Sequence, residues 1–263
     1  MNIVVCVKHV PDATGNRTFT AVDNTVDRVG VDSLLSELDE YAIEEALAIA
    51  GAQGGEVTVL TLGPQPALDA VRKALQMGAD TGVHVLDDAV HGSDAAATSL
   101  VLAKAIEKIG AQAPVDLVIC GMASTDGSMG VVPAMLAERL GLPQVTFASE
   151  VTVDGATVTI RRDGDTATER VQASAPLVLS VTDQCNEPRY PSFKGIMAAK
   201  KKPLETWSLA DLGVDSGQVG LAAAWTQVAS FEARPPRTAG RVVTDEGDGG
   251  RQLAEYLASQ KFI

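Results

Sequence analysis

Two hydrophobic rhythms alternate over the first half of the chain. Unbroken β-branched and aliphatic runs at residues 2–7, 57–62, 82–86 and 116–120 predict strands buried on both faces, as in a parallel sheet. Between these runs, apolar residues return every third or fourth position. Ala42, Ala46 and Ile49 continue a helical stripe that starts at Ser36, a candidate N-cap followed by acids in the first turn, and glycines at 51, 54 and 55 close it. Further helices are predicted at residues 67–77, 94–109 and 130–140. Strands alternating with helices define an α/β fold, a doubly wound parallel sheet with right-handed crossovers. Ligands on such sheets sit at the carboxyl ends of the strands, near the switch in strand order. Those ends are residues 6–9, 61–64 and 120–128, where small and polar side chains gather.

After Phe147 the period shortens. Residues 150–153, 157–162, 168–172 and 177–181 read as short strands, the first three linked by turns at Asp154-Gly155 and Asp163-Gly164, and predict an antiparallel β addition. A peripheral hairpin is predicted over 17–29, around Asp23-Asn24. Past Pro203 the pattern loses its period: Trp207, Trp225, Phe231, Pro235-Pro236 and the acidic, glycine-rich 245–250 precede one helical stretch at 251–260. Such a segment cannot build its own core, and its isolated aromatics predict an extended C-terminal arm lying on another surface. The expected organisation is an α/β domain with its antiparallel strands at 1–183, a projecting segment at 184–202 and the arm at 203–263.

Composition narrows the function classes. With 263 residues the chain has a large core to bury. Aromatics make up only 4%, so that core is aliphatic and stacking platforms for bases are scarce. A net charge of −13 argues against nucleic acid or an anionic membrane as the main partner. Cys6, Cys120 and Cys185 show neither disulfide nor zinc spacing, and no apolar run has the length of a membrane span. A soluble, cytoplasmic protein is expected.

Residues 185–202 break the acidic pattern. Pro188 and Pro191 hold the entry extended. Ser192 is then a candidate N-cap, Phe193, Ile196 and Met197 share one helical face, and Lys200, Lys201 and Lys202 crowd the end. The pattern fits an amphipathic helix packed on its own domain. It also fits an apolar contact knob with a basic flank, the composition of a docking surface.

The other candidate is Gly121, Met122, Ala123, Ser124, Thr125, Asp126, Gly127, Ser128, Met129 and Gly130, which places several backbone N–H groups ahead of a helix, as a phosphate cradle or a plain strand-to-helix turn. It is neither a Walker loop nor G-x-G-x-x-G. His9 reads as an ordinary loop histidine, and Cys6 and Cys120 as buried neighbours. No catalytic constellation or metal cluster emerges from the pattern.

The projecting segment, with Asn186-Glu187-Pro188-Arg189-Tyr190, Ile196-Met197 and Ala199-Lys200-Lys201-Lys202, resembles the beta (small) subunit of electron transfer flavoproteins. The likeness extends to Val7-Lys8, Glu44-Glu45-Ala46, Met77-Gly78-Ala79-Asp80, Leu142-Pro143-Gln144, Thr146-Phe147-Ala148-Ser149 and Pro235-Pro236-Arg237-Thr238-Ala239-Gly240. The resemblance implies an adenine nucleotide alpha hydrolase-like fold and a non-catalytic electron carrier paired with a larger alpha subunit. That partner holds most of the FAD. Electrons would come from acyl-CoA dehydrogenases in fatty acid oxidation and pass to a membrane electron transfer flavoprotein quinone oxidoreductase. A structural AMP is implied at Cys6, at Ser36, Glu37, Leu38 and Asp39, at Leu62, and along Gly121 to Gly130 with Val131 and Val132. The two valines stand where relatives usually carry Gln and Thr or Val, which leaves phosphate to backbone donors. Partner recognition is implied at Arg189, Tyr190, Phe193, Ile196, Met197, Lys200, Lys201 and Lys202, and an alpha-subunit contact at Asp163. Two alternatives remain: an electron-bifurcating relative with a second FAD in place of AMP, and a stand-alone adenine-nucleotide-binding stress-type protein.

Overall fold

Alternate residues of β1 (Asn2–Cys6) feed two separate cores, Ile3 and Val5 on one side and Val4 and Cys6 on the other. This is why the strand reads as continuously apolar. In the computed structural model, which describes residues 1–15, 17–236, 240 and 242–263, β1 lies at the centre of a seven-stranded parallel sheet. Its neighbours are β4 (Glu56–Leu62) and β6 (Leu117–Gly121). Beyond β4 come β5 (Thr81–Val85) and β12 (Leu204–Trp207); beyond β6 come β11 (Leu177–Val181) and β7 (Gln144–Ala148). The helices α1 (Glu37–Gln53) and α2 (Leu68–Met77) cover one face, while α3 (Ala95–Gln112) and α4 (Val132–Leu140) cover the other. The fold is therefore a doubly wound α/β sheet.

A two-stranded ribbon of β2 (His9–Pro11) and β3 (Ser33–Leu35) follows β1, and a separate antiparallel sheet is formed by β8 (Glu150–Asp154), β9 (Thr157–Asp163) and β10 (Thr168–Ser174). Val158 and Ile160 of β9 join the α1/α2 core. The hairpin expected at 17–29 is reduced to a single bridge, Phe19 to Val26.

Two sequence expectations need correction. Residues 177–181, expected with the antiparallel strands, form a fully buried strand parallel to β6 and β7. Residues 204–229, expected to begin the arm, belong to the first compact unit, Met1–Ala229. There β12 pairs with the open edge of β5, and Trp207, Leu209, Leu212 and Val214 are buried against α3. The backbone then returns to the start of α3, where the Asp94 carboxylate accepts from the Trp225 and Thr226 N–H groups at 2.9 and 3.1 Å. An irregular sequence is enough here because the sheet edge and α3 already supply the surface.

The second unit, Ser230–Ile263, contains α6 (Gly249–Ser259). Arg251 pairs with Asp248 and Glu255 along that helix, while Leu253 and Tyr256 are exposed on it. Asn16, Arg237, Thr238, Ala239 and Arg241 lie outside the described residues. Part of the family likeness at 235–240 is therefore without a structural account. Within the projecting segment, ahead of β12, α5 (Phe193–Ala199) is capped by Ser192, whose hydroxyl accepts from the Gly195 N–H at 3.0 Å.

Candidate functional site

Strand order reverses at β1. The chain runs from β1 outward through β4 and β5, then crosses to β6 and the opposite half, which makes the carboxyl ends of β1 and β6 the switch point where α/β sheets take ligands. Cys6, Leu62 and Gly121 are the last residues of β1, β4 and β6. Ser36, Glu37, Leu38 and Asp39 form the start of α1, and residues 122–130 carry the chain from β6 towards α4. The residues assigned to a nucleotide from sequence therefore come from the ends of β1, β4 and β6, the loop after β6 and the starts of α1 and α4.

Gly121 permits this convergence. A Cβ there would lie 2.6 Å from Asp39 Oδ1 and 2.8 Å from the Leu38 carbonyl, so only glycine lets β6 end against the first turn of α1. Asp39 accepts from the Lys8 N–H at 2.8 Å. Burial raises its carboxyl pKa to about 7, against the opposing pull of the Lys8 and Gly121 N–H groups and the Lys8 charge. Because that value lies above the ~3.9 of an unfolded aspartate, Asp39 contributes stability that is complete below pH ~4 and is lost as pH rises through about 7. The stability of the native protein relative to Asp39→Asn is expected to fall across that window. Thermal melts at stepped pH check this, and a constant gap between the two proteins would refute it.

Asp126 has the opposite environment. Its side chain is enclosed between Lys8 Nζ at 2.8 Å and Arg28 Nη2 at 2.7 Å, and it also accepts from the Gly127 N–H at 2.7 Å. Burial pushes this carboxyl up, but the Lys8 charge and hydrogen bonds from Lys8, Arg28 and Ser124 outweigh it and hold the group well below the usual carboxylate range. The Arg17 guanidinium donates to the Thr125 carbonyl. The peripheral segment after β2 is thus tied to the β6–α4 loop by cations that sequence reasoning did not single out. Asp126 is about a hundred residues or more from Lys8 and Arg28, so only Lys8, as part of the family-like Val7-Lys8 pair, was visible beforehand.

Three further observations bear on what the crevice is built to hold. Ser36 is completely buried and its Oγ makes no hydrogen bond, an unusual state for a buried hydroxyl. The first turn of α4 has no side-chain cap and carries Pro133, leaving its N–H groups to the loop side. A Cβ on Gly127 would have its nearest neighbours at 3.4 and 4.0 Å, Ser124 Oγ and Lys8 Nζ, so there is open room on the loop beside a cation. Val131 and Val132 are half-buried at the α4 start and offer no polar atoms beyond their backbone. Cys6 and Cys120 face each other across β1 and β6 as buried thiols, and the hydrogen bond with Cys6, together with burial, pushes the Cys120 thiol up. That is the setting of inert packing rather than redox exchange.

A groove of about 440 Å³ opens next to the loop, lined in part by Met122, Phe147, Arg162 and Asp163. Phe147 holds φ at 60°, a conformation uncommon for an aromatic residue, with its N–H donating to Ser180 Oγ at 2.9 Å. The family-like run Thr146-Phe147-Ala148-Ser149 contained Phe147, but nothing in it signalled this backbone conformation. Asp163 closes β9 and accepts from Ser149 and Thr168 hydroxyls and from Arg161 Nε at 2.6, 2.7 and 3.0 Å. Those hydroxyl bonds hold its carboxyl below the usual range.

The projecting residues lie on the α1/α2 side. Tyr190 and Phe193 are 92% and 82% exposed, with Met197 and Ile196 beside them. Lys200 and Lys201 are exposed, but two residues assigned to partner recognition are engaged by the domain itself. Arg189 pairs with Glu44, Nε to Oε2 at 2.7 Å, and Lys202 Nζ donates to the Leu75 and Gly78 carbonyls at 3.1 and 2.9 Å.

Together these features define a class: a doubly wound α/β protein with a loop-and-helix crevice at its switch point and a separate apolar ridge on its flank. Residues 23–212 match the electron transfer flavoprotein domain. Over its full length the chain is 49% identical to the electron transfer flavoprotein subunit beta of Mycobacterium tuberculosis (strain ATCC 25618 / H37Rv), covering 99% of that protein. It is 35% identical to the subunit beta of Megasphaera elsdenii, with both chains covered completely. The caffeyl-CoA reductase-Etf complex subunit CarD of Acetobacterium woodii is also 35% identical, over 99% of this chain and 97% of that one. The chain belongs to the electron transfer flavoprotein family, among its beta subunits. Electron transfer with a flavin is the family's role, and the subunit designation implies an alpha partner.

Proposed function

We propose that the chain is the beta half of a heterodimeric electron transfer flavoprotein that takes electrons from acyl-CoA and related dehydrogenases and passes them to a membrane quinone oxidoreductase. In this reading it is a cytoplasmic electron carrier subunit rather than an enzyme. FAD, held mainly by the alpha subunit, supplies the redox chemistry, and this chain contributes docking and geometry. The exposed ridge of Tyr190, Phe193, Ile196 and Met197 meets the dehydrogenase, with Lys200 and Lys201 steering encounter. Asp163 meets the alpha subunit at the edge of the groove, and the exposed Trp225, Leu253 and Tyr256 are apolar surface that the alpha subunit would cover.

The crevice holds a structural AMP. The observation that carries this is the loop that leaves β6 at the switch point and enters an α4 start with no side-chain cap. A nucleotide phosphate supplies an acceptor for the backbone N–H groups where the loop enters α4. Lys8 adds charge that Val131 and Val132 do not.

Co-purification with the alpha subunit and extraction of bound ligands tests the reading. One FAD and one AMP per heterodimer are expected. Two FAD and no AMP would place a second flavin in the crevice, and a chain that purifies alone with nucleotide would favour the stand-alone reading. Gly127→Val is expected to lower AMP content about tenfold or more, since a methyl-bearing Cβ enters the loop's open side without striking backbone. Wild-type AMP content in that variant would move the site elsewhere.

A further inference from the structure

The ridge-bearing segment is fastened to the domain at its entry, middle and exit. At the entry, Arg189 gives Glu44 three hydrogen bonds, from its backbone N–H at 3.0 Å, Nε at 2.7 Å and Nη2 at 2.8 Å. Asn186 Nδ2 donates to Glu45 Oε2 at 3.0 Å and to the Tyr41 carbonyl at 3.1 Å. In the middle, α5 lies so close to α2 that a Cβ on Gly195 would stand 2.6 Å from the Gln76 carbonyl oxygen. At the exit, Lys202 Nζ donates to the Leu75, Gly78 and Ala79 carbonyls, groups that the end of α2 leaves without helical partners.

None of these contacts uses the exposed apolar side chains. A helix of seven residues does not persist by itself, so its order comes from the fastenings. Burial pushes the Glu44 carboxyl up, and the Arg189 bonds outweigh this and hold it below its ordinary value, as a paired carboxylate.

We propose that Glu44, Gly195 and Lys202 are positioning residues that preorganise the docking ridge, and that Arg189 and Lys202 act as braces within this subunit instead of reading the partner. The inference rests on the reading that this ridge docks the dehydrogenase. Its physical content is that ordering a loose segment at the moment of binding weakens association, whereas a segment ordered in advance avoids that loss. Ile196 and Met197 then keep fixed positions relative to Phe193, and encounter steering falls to the exposed Lys194, Lys200 and Lys201.

The experiment uses the assembled heterodimer. Glu44→Gln is expected to speed amide hydrogen exchange over residues 189–201 by about tenfold and to raise the dehydrogenase concentration for half-maximal electron transfer about fivefold, with the saturated rate little changed. The paired exchange of Glu44→Arg with Arg189→Glu rebuilds the side-chain pair but not the bond from the backbone N–H of residue 189, so it is expected to recover both in part, which an effect of partner-reading by Arg189 would not allow. Gly195→Ala should reproduce the loosened segment from its middle. Unchanged exchange in Glu44→Gln overturns the brace. Faster exchange with unchanged half-saturation overturns its link to docking. Phe193→Ala serves as the reference: if it too leaves half-saturation unchanged, the docking reading itself fails, and the inference with it.

Discussion

Truncation of Trp207 to alanine is expected to cost the first unit about 3–5 kcal/mol, the range for removing a large aromatic side chain from a packed interior. Trp207 is 6% exposed and belongs to the core on the α3/α4 side of the sheet. Its Nε1 donates to Glu205 at 2.9 Å, and the Lys108 ammonium stands 4.5 Å from the ring centroid, so truncation also removes a cation–π contact. It also loosens the contact of Leu209, Leu212 and Val214 with α3. Denaturant unfolding of the isolated chain measures the loss. A value below about 1 kcal/mol, the scale of a surface change, would mean that residues 204–229 rest on the domain loosely and belong with the arm after all.

Phe193→Ala is expected to leave stability almost unchanged and to slow electron uptake from an acyl-CoA dehydrogenase about thirtyfold at subsaturating concentration. The side chain is 82% exposed, so truncation removes little packing. Burying it in a partner's pocket would contribute roughly 2 kcal/mol, and each 1.4 kcal/mol is a factor of ten in association. Stopped-flow reduction of the flavin reads the effect, which should persist at all ionic strengths. Charge reversal at Lys200 and Lys201 should instead give a defect that shrinks as salt rises, because screening acts on exposed charges. Lys202 is unsuited to that comparison, since its ammonium is spent on the α2 carbonyls. A wild-type rate for Phe193→Ala would remove the ridge from the docking surface.

The contrast between these two aromatic residues shows what local pattern conveys. Trp207 and Phe193 both stand near charged residues in short, irregular stretches, and an exposed role was expected for both. The sequence around Phe193 carried its own local signals, a Ser192 cap and two prolines, and α5 forms where they point. The Leu204–Trp207 strand carried none. It exists because β5 presents an unpaired edge, a feature created more than a hundred residues earlier. The edge strand β7 escaped notice for the same reason: only Val145 and Ala148 are buried in it, and Gln144 and Thr146 interrupt any apolar run.

Local sequence determined most of the sheet's elements, because strands buried on both faces need unbroken apolar runs and the covering helices need a stripe of period 3.6. It also determined the placement of the crevice residues at strand ends, since alternation of strand and helix leaves few other places for small polar loops. Tertiary structure alone decided which charges are occupied. Arg189 is 145 residues from Glu44 and Lys202 is 127 from Leu75, separations over which no periodicity carries information. A lysine in a sequence is a mobile cation. Only the folded chain shows whether carbonyls or a carboxylate lie within the reach of its side chain, and here they convert two apparent docking charges into internal fastenings.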